Sequence, residues 1–592
     1  MNLEILRQAT LGPSSSRGQD KPCQNCSKPF TIEPEDFAFY EKIKVPAPTF
    51  CPKCRRQRRM AWRNDFNFYS RTCDLCKKQI VSLYAPDKRF PVYCNKCWWS
   101  DQWDAKDYAA DFNFSRPFFE QFVELQNRVP ALALINDDGI GSVNCQYTHD
   151  FSFGRNCYMV LLAWKLEDSL YGHEVIKAKE VVDAMSSFGD CELSYESICT
   201  QQCYRSTNIY YSFSVKDMHF CYDCRDSSDC FLSIGLRHKR FYVKNKQYSE
   251  EEYKRIIAEY RLDTHNGRER AKKEFGEFIM KYPRRYANLK NCVASIGDDL
   301  INSKNCHYVF NAFNAEDSKY FENGEASKDS YDILVAGEIN QCYEALTPDQ
   351  SYRNFFSFYS WKNMEVTYCD SCHSSKYLFG CVGLKKGEYC IFNKQYSKEE
   401  YEKLKNRIIE HMKTTGEWGE FFPARLSRFG YNETVAQMYH PLAEEDAHAK
   451  DFQWRDSLQL TTGKETIALS DLPDSIRNIS DSITNEILVC GACSRNYRII
   501  PQELAFYRKM SLPIPRRCFL CRNAARLAFR NPFELWHRFC QCAGKSSANG
   551  VYQNQTGHAH GDAPCSNEFQ TSYAPDRPEI VYCEQCYQSE VV

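Results

Sequence analysis

Two stretches, one near each end of the chain, carry the same cysteine spacing, and that spacing restricts what either can fold into. CQNCSKPFTIEPEDFAFYEKIKVPAPTFCPKCRRQRR begins at Cys23 and CGACSRNYRIIPQELAFYRKMSLPIPRRCFLCRNAAR at Cys490. In each, a second CxxC starts 28 residues after the first, and the next cysteine follows 19 residues after that pair. Both copies close alike, with SLYAPDKRFPVYCNKC and TSYAPDRPEIVYCEQC. Equal spacing over this length marks a duplicated module. Zinc takes four tetrahedral ligands, and thiolates suit it. A CxxC turn sets two sulfurs on one side of an ion, and a second CxxC brought back by a hairpin closes the site. The expected sets are Cys23, Cys26, Cys51 and Cys54; Cys73, Cys76, Cys94 and Cys97; and Cys490, Cys493, Cys518 and Cys521. Four thiolates leave no open coordination position, so the sites read as structural.

The last set departs from the pattern. Its first half is Cys540-Gln541-Cys542, a CxC, and an insertion with His558, His560 and Cys565 precedes Cys583 and Cys586. The simplest ligands are Cys540, Cys542, Cys583 and Cys586, with Cys565 or a histidine as the alternative to one of them. About four zinc ions are therefore expected, two per module.

Thirty-two cysteines fit either a disulfide framework or metal binding. The opening MNLEILRQATLGPSSSRGQD has no apolar core beside a cleavage site, and no apolar run is long enough to span a bilayer. The expectation is a cytoplasmic protein with reduced thiols and no membrane partner, in which CxxC pairs read as ligands.

The first half of each module resembles the zinc-ribbon, treble-clef-like family of bacterial proteins. The shared residues are Cys23, Cys26, Phe30, Phe39, Tyr40, Pro48, Cys51, Cys54 and Arg55, and in the second copy Cys490, Cys493, Tyr497, Phe506, Tyr507, Pro515, Cys518, Cys521 and Arg522. That resemblance covers roughly forty residues per copy and implies zinc binding without implying a substrate. The wider chain resembles a family of large uncharacterised zinc-binding proteins from small-genome bacteria, through VYCNKCWWSDQWD, DFNFSRPFFEQF, FNKQYSKEEYEKLK, RFGYNETVAQMYHPL and SYAPDRPEIVYCEQCYQSEVV. It brings no activity with it.

The interior is duplicated as well. YVKNKQYSEEEYKRII and CIFNKQYSKEEYEKLK lie 148 residues apart, preceded by GRNCYMV and LEDSLYG in one copy and SKNCHYV and AEDSKYF in the other. Ser249 with Glu252, and Ser397 with Glu400, are capping boxes that start helices. Ahead of them, short units such as NCQY, EDSLY and SDCFL recur at an irregular spacing near a dozen residues. Each joins a polar turn to a small residue and then aromatics, which points to stacked short strands in a β-solenoid. Cys145, Cys157, Cys191, Cys199, Cys203, Cys292, Cys306 and Cys342 are expected inside the rungs. Cys221-x-x-Cys224 and Cys369-x-x-Cys372 are further metal candidates, each without a second pair nearby. Ser115, as N-cap, opens an amphipathic helix with Phe118, Phe119, Phe122 and Leu125 on one face. Trp98, Trp99 and Trp103 are expected to pack the zinc module onto its neighbour.

The fold class is thus mainly β and multidomain: two terminal treble-clef or zinc-ribbon modules flanking a duplicated β-solenoid-like region with helical inserts. The expected divisions are a disordered tail (1–20), an N-terminal double zinc module (21–104), a helical connector (105–139) and repeat A (140–247). Helices (248–287), repeat B (288–395), a helix and linker (396–485, the linker from about Thr461 to Asn485) and a C-terminal double zinc module (486–592) follow.

Net charge is −1, so no global field favours nucleic acid. The charge is local instead. Arg55, Arg56, Arg58, Arg59 and Arg63 crowd the second CxxC of the first module, with Trp62, Phe66 and Phe68 beside them, and Arg522 and Arg526 repeat the theme. Arginines projecting from a metal-anchored helix suit RNA or DNA phosphates. The competing account pairs them with acidic segments elsewhere in the chain. Three functions follow: a nucleic-acid-associated zinc protein, RNA before DNA; a protein-interaction scaffold; and a metalloenzyme using the His558, His560 and Cys565 cluster. No Walker loop, GxGxxG, GxSxG or HExxH is present, which weighs against an enzyme.

Overall fold

In the described parts of both interior stretches the backbone repeatedly turns a corner every three residues. Asn305, Tyr308, Asn311, Asn314, Asp317, Tyr320, Asn323, Ala326, Asp329 and Asp332 all have left-handed φ. Asn and Asp enter that region at the least cost, which explains the polar turn in each sequence unit. Four such triplets return the chain to its starting column, so each strand pairs in parallel with the one twelve residues on: Tyr352 with Met364, Met364 with Lys376, Lys376 with Glu388. The period is thus a regular twelve, with single steps of eleven at Leu289↔Leu300 and thirteen at Met185↔Ile198.

Inward positions take small polar or apolar side chains, with larger ones such as Phe321, Ile333 and Leu378 buried in the same interior. Ser357 donates to the Phe355 carbonyl (2.9 Å) and accepts the Cys369 amide (3.0 Å) twelve residues on. Ser360 and Cys372 repeat this one triplet later. Cys221, Cys224, Cys369 and Cys372 are fully buried at such inward positions. Their CxxC spacing is the triplet period, and among the described residues none of them joins a metal-ligand group. Cys157, Cys203, Cys306 and Cys342 are buried and Cys145 and Cys292 half-buried, while the side chains of Cys191 and Cys199 lie outside the description. On the outside, residues twelve apart stack. Asn144, Asn156 and Asp168 form a hydrogen-bonded row, and the Tyr377 and Tyr389 rings lie 4.8 Å apart.

This computed structural model describes residues 18–591 apart from 137–141, 165, 176, 177, 180, 181, 183, 184, 188–190, 193, 194, 196, 197, 348, 459 and 460. The tail read at 1–20 falls largely outside it, although Gln19–Pro22 forms a strand. Two compact units result, each built from two separate stretches of chain. One joins Met1–Asp138 to Leu289–Leu458, and the other joins Gly139–Asn288 to Gln459–Val592. The chain is therefore multidomain with many strands and some helices. Among the described residues no helix is long and apolar enough to cross a membrane.

In the first unit, the ladder from Leu289–Lys290 to Lys394–Gln395 carries the N-terminal module. Helix Phe118–Arg128 lays Phe118 against Tyr368, Phe379 and Phe392 of the ladder. Its N-cap is Pro117 rather than Ser115, and the Glu417 carboxylate accepts the Phe118 and Phe119 amides at 2.8 Å. Glu417 thus supplies the cap that Ser115 was expected to give. Trp98 and Trp103 are buried, with the Lys385 ammonium 4.9 Å from the Trp103 ring, so the tryptophans pack module to ladder.

In the second unit the capping box at Ser249 opens Glu250–Tyr260, as Ser397 opens Lys398–Thr415 in the first. Helix His265–Ile279 buries Ala271, Phe275 and Ile279 against Tyr210, Phe220 and Phe231 of the ladder. The stretch read as a linker is packed: Ile476, Ile479 and Ile483 are buried, and Ser475 bridges to Thr264.

Candidate metal centres

Four times, a two-stranded hairpin and a short helix meet at a cluster of cysteines. In the first hairpin, Gln19–Pro22 pairs with Pro29–Ile32, and Cys23 and Cys26 occupy the turn. Ser27, in the left-handed region, lets the turn close. Lys77 and Ser494 have the same conformation behind Cys76 and Cys493. The third cysteine is always the N-cap of a helix: Cys51 for Pro52–Met60, Cys94 for Asn95–Trp98, Cys518 for Phe519–Phe529 and Cys583 for Glu584–Glu590. The fourth lies in that helix's first turn, where the positive end of the helix dipole favours thiolate. One contact recurs in all four. The amide of the third cysteine donates to the sulfur of the first, at 3.2 Å in Cys51–Cys23, 3.3 Å in Cys94–Cys73, and 3.2 Å in both Cys518–Cys490 and Cys583–Cys540.

The ligand atoms of Cys23, Cys26, Cys51 and Cys54 lie within 4.8 Å of one another, as do those of Cys73, Cys76, Cys94 and Cys97 and those of Cys490, Cys493, Cys518 and Cys521. A tetrathiolate with bonds near 2.3 Å has S···S edges of about 3.8 Å. The observed pairs fit: Cys26–Cys51 3.9 Å, Cys76–Cys94 3.9 Å, Cys493–Cys518 3.7 Å. The thirty cysteines whose side chains are described are all free thiols, so no disulfide among them competes for the clusters.

The fourth cluster takes the alternative in which Cys565 stands in place of Cys542. Cys540, Cys565, Cys583 and Cys586 converge, and Cys542 does not belong to this group. The hairpin explains why. Cys26, Cys76 and Cys493 each stand three residues before the return strand, which starts at Pro29, Gln79 or Asn496. The fourth return strand is Glu568–Thr571, and Cys565 stands three residues before it. The insertion has entered inside the CxxC turn and carried its second cysteine away. The signal was present in the sequence, read backwards from the return strand: Cys26-Ser27, Cys493-Ser494 and Cys565-Ser566.

The arginines expected to face nucleic acid are buried. Arg55, Arg56, Arg58, Arg59, Arg63, Arg522 and Arg526 are each 9 % exposed or less. Arg55 reaches Asp332 at 2.8 Å and Arg59 reaches the same carboxylate at 3.1 Å. Arg58 bonds Glu344 and Glu420, both at 2.8 Å, Arg56 lies 3.5 Å from Glu322, and Arg63 is 2.7 Å from Asp65. Tyr320, Asp332 and Glu344 are twelve residues apart, one above another in the ladder, and the Arg55 guanidinium also covers the Tyr320 ring. Strands step about 4.8 Å and a helix rises about 5 Å over three to four residues, so one helix face matches one ladder column. Trp62 and Phe66 are buried too, Trp62 against Phe358 and Phe422. The pairing with acidic segments is what the structure contains.

In the second unit, Arg522 stacks on Tyr171 and lies 3.8 Å from Glu503. With Arg526 it also borders a cavity of about 380 Å³. Searches against protein-family models, curated proteins and solved structures give no match to this chain, so the resemblances above rest on its residues alone.

Proposed function

We propose that the chain is a structural-zinc protein acting as a protein-interaction scaffold, with a zinc-ribbon or treble-clef module fastened to a β-solenoid in each unit. The observation that carries this reading is the direction of the Arg55, Arg58 and Arg59 side chains. A metal-anchored helix presents them to Asp332 and Glu344 of its own unit, so the module's basic face is used for docking. Zinc is the ion that four thiolates at tetrahedral edge lengths suit, and closed tetrathiolates support folding rather than catalysis. Long repeat ladders offer extended surfaces to partners, and Val143 and Phe153 stand exposed on the first turns of one ladder.

A second reading has its own observation. The cavity of about 380 Å³ is lined by Arg268, Lys272, Arg516, Arg517, Arg522 and Arg526 with Glu269 as the one acid, and by Tyr210 and Phe529. That lining suits a phosphate-bearing partner, RNA included. One salt series separates the two. RNA and DNA binding by the zinc-loaded chain is measured beside K272A/R516A/R517A. No binding at low salt is expected. Micromolar or tighter binding that weakens steeply with salt and is lost in the variant would overturn the scaffold in favour of nucleic acid.

A further inference from the structure

The insertion that displaces Cys565 also delivers Cys542, His558 and His560 to a single place. Their ligand atoms and the sulfur of Cys586 lie within 4.8 Å of one another. Cys586 is at the same time the fourth ligand of the tetrathiolate group with Cys540, Cys565 and Cys583. We propose that the C-terminal module holds two ions, with the Cys586 thiolate bridging a tetrathiolate site and a second, closed site completed by Cys542, His558 and His560. This rests on the structural-metal reading above and adds a fifth ion to it.

The histidines are oriented as ligands. His558 turns Nδ1 toward the Cys542 sulfur at 3.1 Å, while its Nε2 meets the Glu590 carboxylate at 2.7 Å. His560 turns Nε2 toward Cys586 at 3.3 Å, and its Nδ1 reaches the Ala563 carbonyl at 2.7 Å. A carboxylate or carbonyl on the far nitrogen fixes the tautomer and leaves the near nitrogen's lone pair for metal. The S···N separations lie somewhat inside the about 3.6 Å edge of an ideal tetrahedral site. Glu590 is itself held, by the Tyr552 hydroxyl and the Gln555 amide, both at 2.8 Å. The His558 and Glu590 side chains are both 1 % exposed. The Asn554 amide donates to the Cys542 sulfur at 3.2 Å, as a donor serves a thiolate.

Charge balance points the same way. Five cysteine sulfurs meet here, and with all five ionised one dication would leave them at a net charge of −3 in a buried pocket. A second dication brings this to −1, with neutral histidines. Both ions then have four protein donors, which leaves no position for a reactive water and no basis for hydrolytic chemistry.

The test is metal content of the full-length chain by native mass spectrometry, with H558A/H560A beside it and circular dichroism to monitor folding. Five zinc ions are expected in the wild type and four in the variant. Cobalt substitution of the wild type is the second measurement, independent of any variant. The shared thiolate couples two of the five spins, so paramagnetic resonance intensity falls below that of five isolated ions. Four ions in the wild type, unchanged in the variant, overturn the second ion and leave the four tetrathiolates standing. Five ions at full uncoupled intensity overturn the bridge. Fewer than four would instead sink the underlying tetrathiolate reading.

Discussion

Asp332 is the residue whose loss should cost the first unit most. It has no exposed surface and pairs with two guanidiniums that are themselves 1 % exposed: it accepts from Arg55 Nε at 3.0 Å, with an Arg55 terminal nitrogen 2.8 Å away, and from Arg59 at 3.1 Å. Asp332→Asn keeps the shape and removes the charge. Breaking a buried pair by deleting one partner costs about 3–5 kcal/mol, because the remaining charge stays desolvated. The unit comprises roughly 300 residues, for which the unfolding entropy is about 0.6 kcal/mol/K, so the midpoint should fall by about 5–8 °C. Calorimetry on the zinc-loaded chain reads this shift. The zinc count should not change, since Cys23, Cys26, Cys51 and Cys54 make their cluster without Asp332. Adding Arg55→Met and Arg59→Met should restore much of the loss by removing the stranded charges. A shift below about 1 °C in Asp332→Asn, with nothing regained in the triple variant, would refute the docking argument and return the arginines to solvent.

Three further outcomes follow from the same geometry. Chelation should release the ions and unfold helices Pro52–Met60 and Phe519–Phe529, since metal binding of this kind carries on the order of 10 kcal/mol per site; arginine modification by phenylglyoxal should rise while the β-sheet dichroism persists, and unchanged reactivity would count against metal-dependent docking. Ser357→Ala should cost about 1–3 kcal/mol in urea denaturation, because the buried Cys369 amide loses its acceptor; a loss within error would show that the serine column is dispensable. In alkylation at pH 8 followed by mass spectrometry, Cys145 should lead the ladder cysteines: the Cys157 hydrogen bond lowers it to about 7, whereas burial pushes Cys306 up to about 11 and Cys390 up to about 12, and equal rates would contradict this.

Chelating turns and helix caps are local features, and they were legible because the residues involved are close in sequence. Cys23-x-x-Cys26 closes a turn, Cys51 opens a helix, and Ser249 and Ser397 form capping boxes, all within a few residues. Twelve-residue periodicity was partly hidden, since one skipped or added residue shifts the pattern without breaking the parallel pairing. The Ser115 reading failed because a helix amide donates to any carboxylate that tertiary packing delivers, here Glu417 from about 300 residues away.

By itself the sequence determined that cysteine clusters able to hold metal stand at both ends and that stacked short units fill the interior, because both are written in spacing. Tertiary structure decided which sulfur completes the fourth cluster, since the Cys565-Ser566 pair becomes a signal only once Glu568–Thr571 is known to be the return strand. It also decided the fate of the arginines. Whether a guanidinium faces phosphate or a buried carboxylate depends on what packs against its helix, and Asp332 and Glu344 reach Arg55, Arg58 and Arg59 only when the second ladder folds back onto the first module.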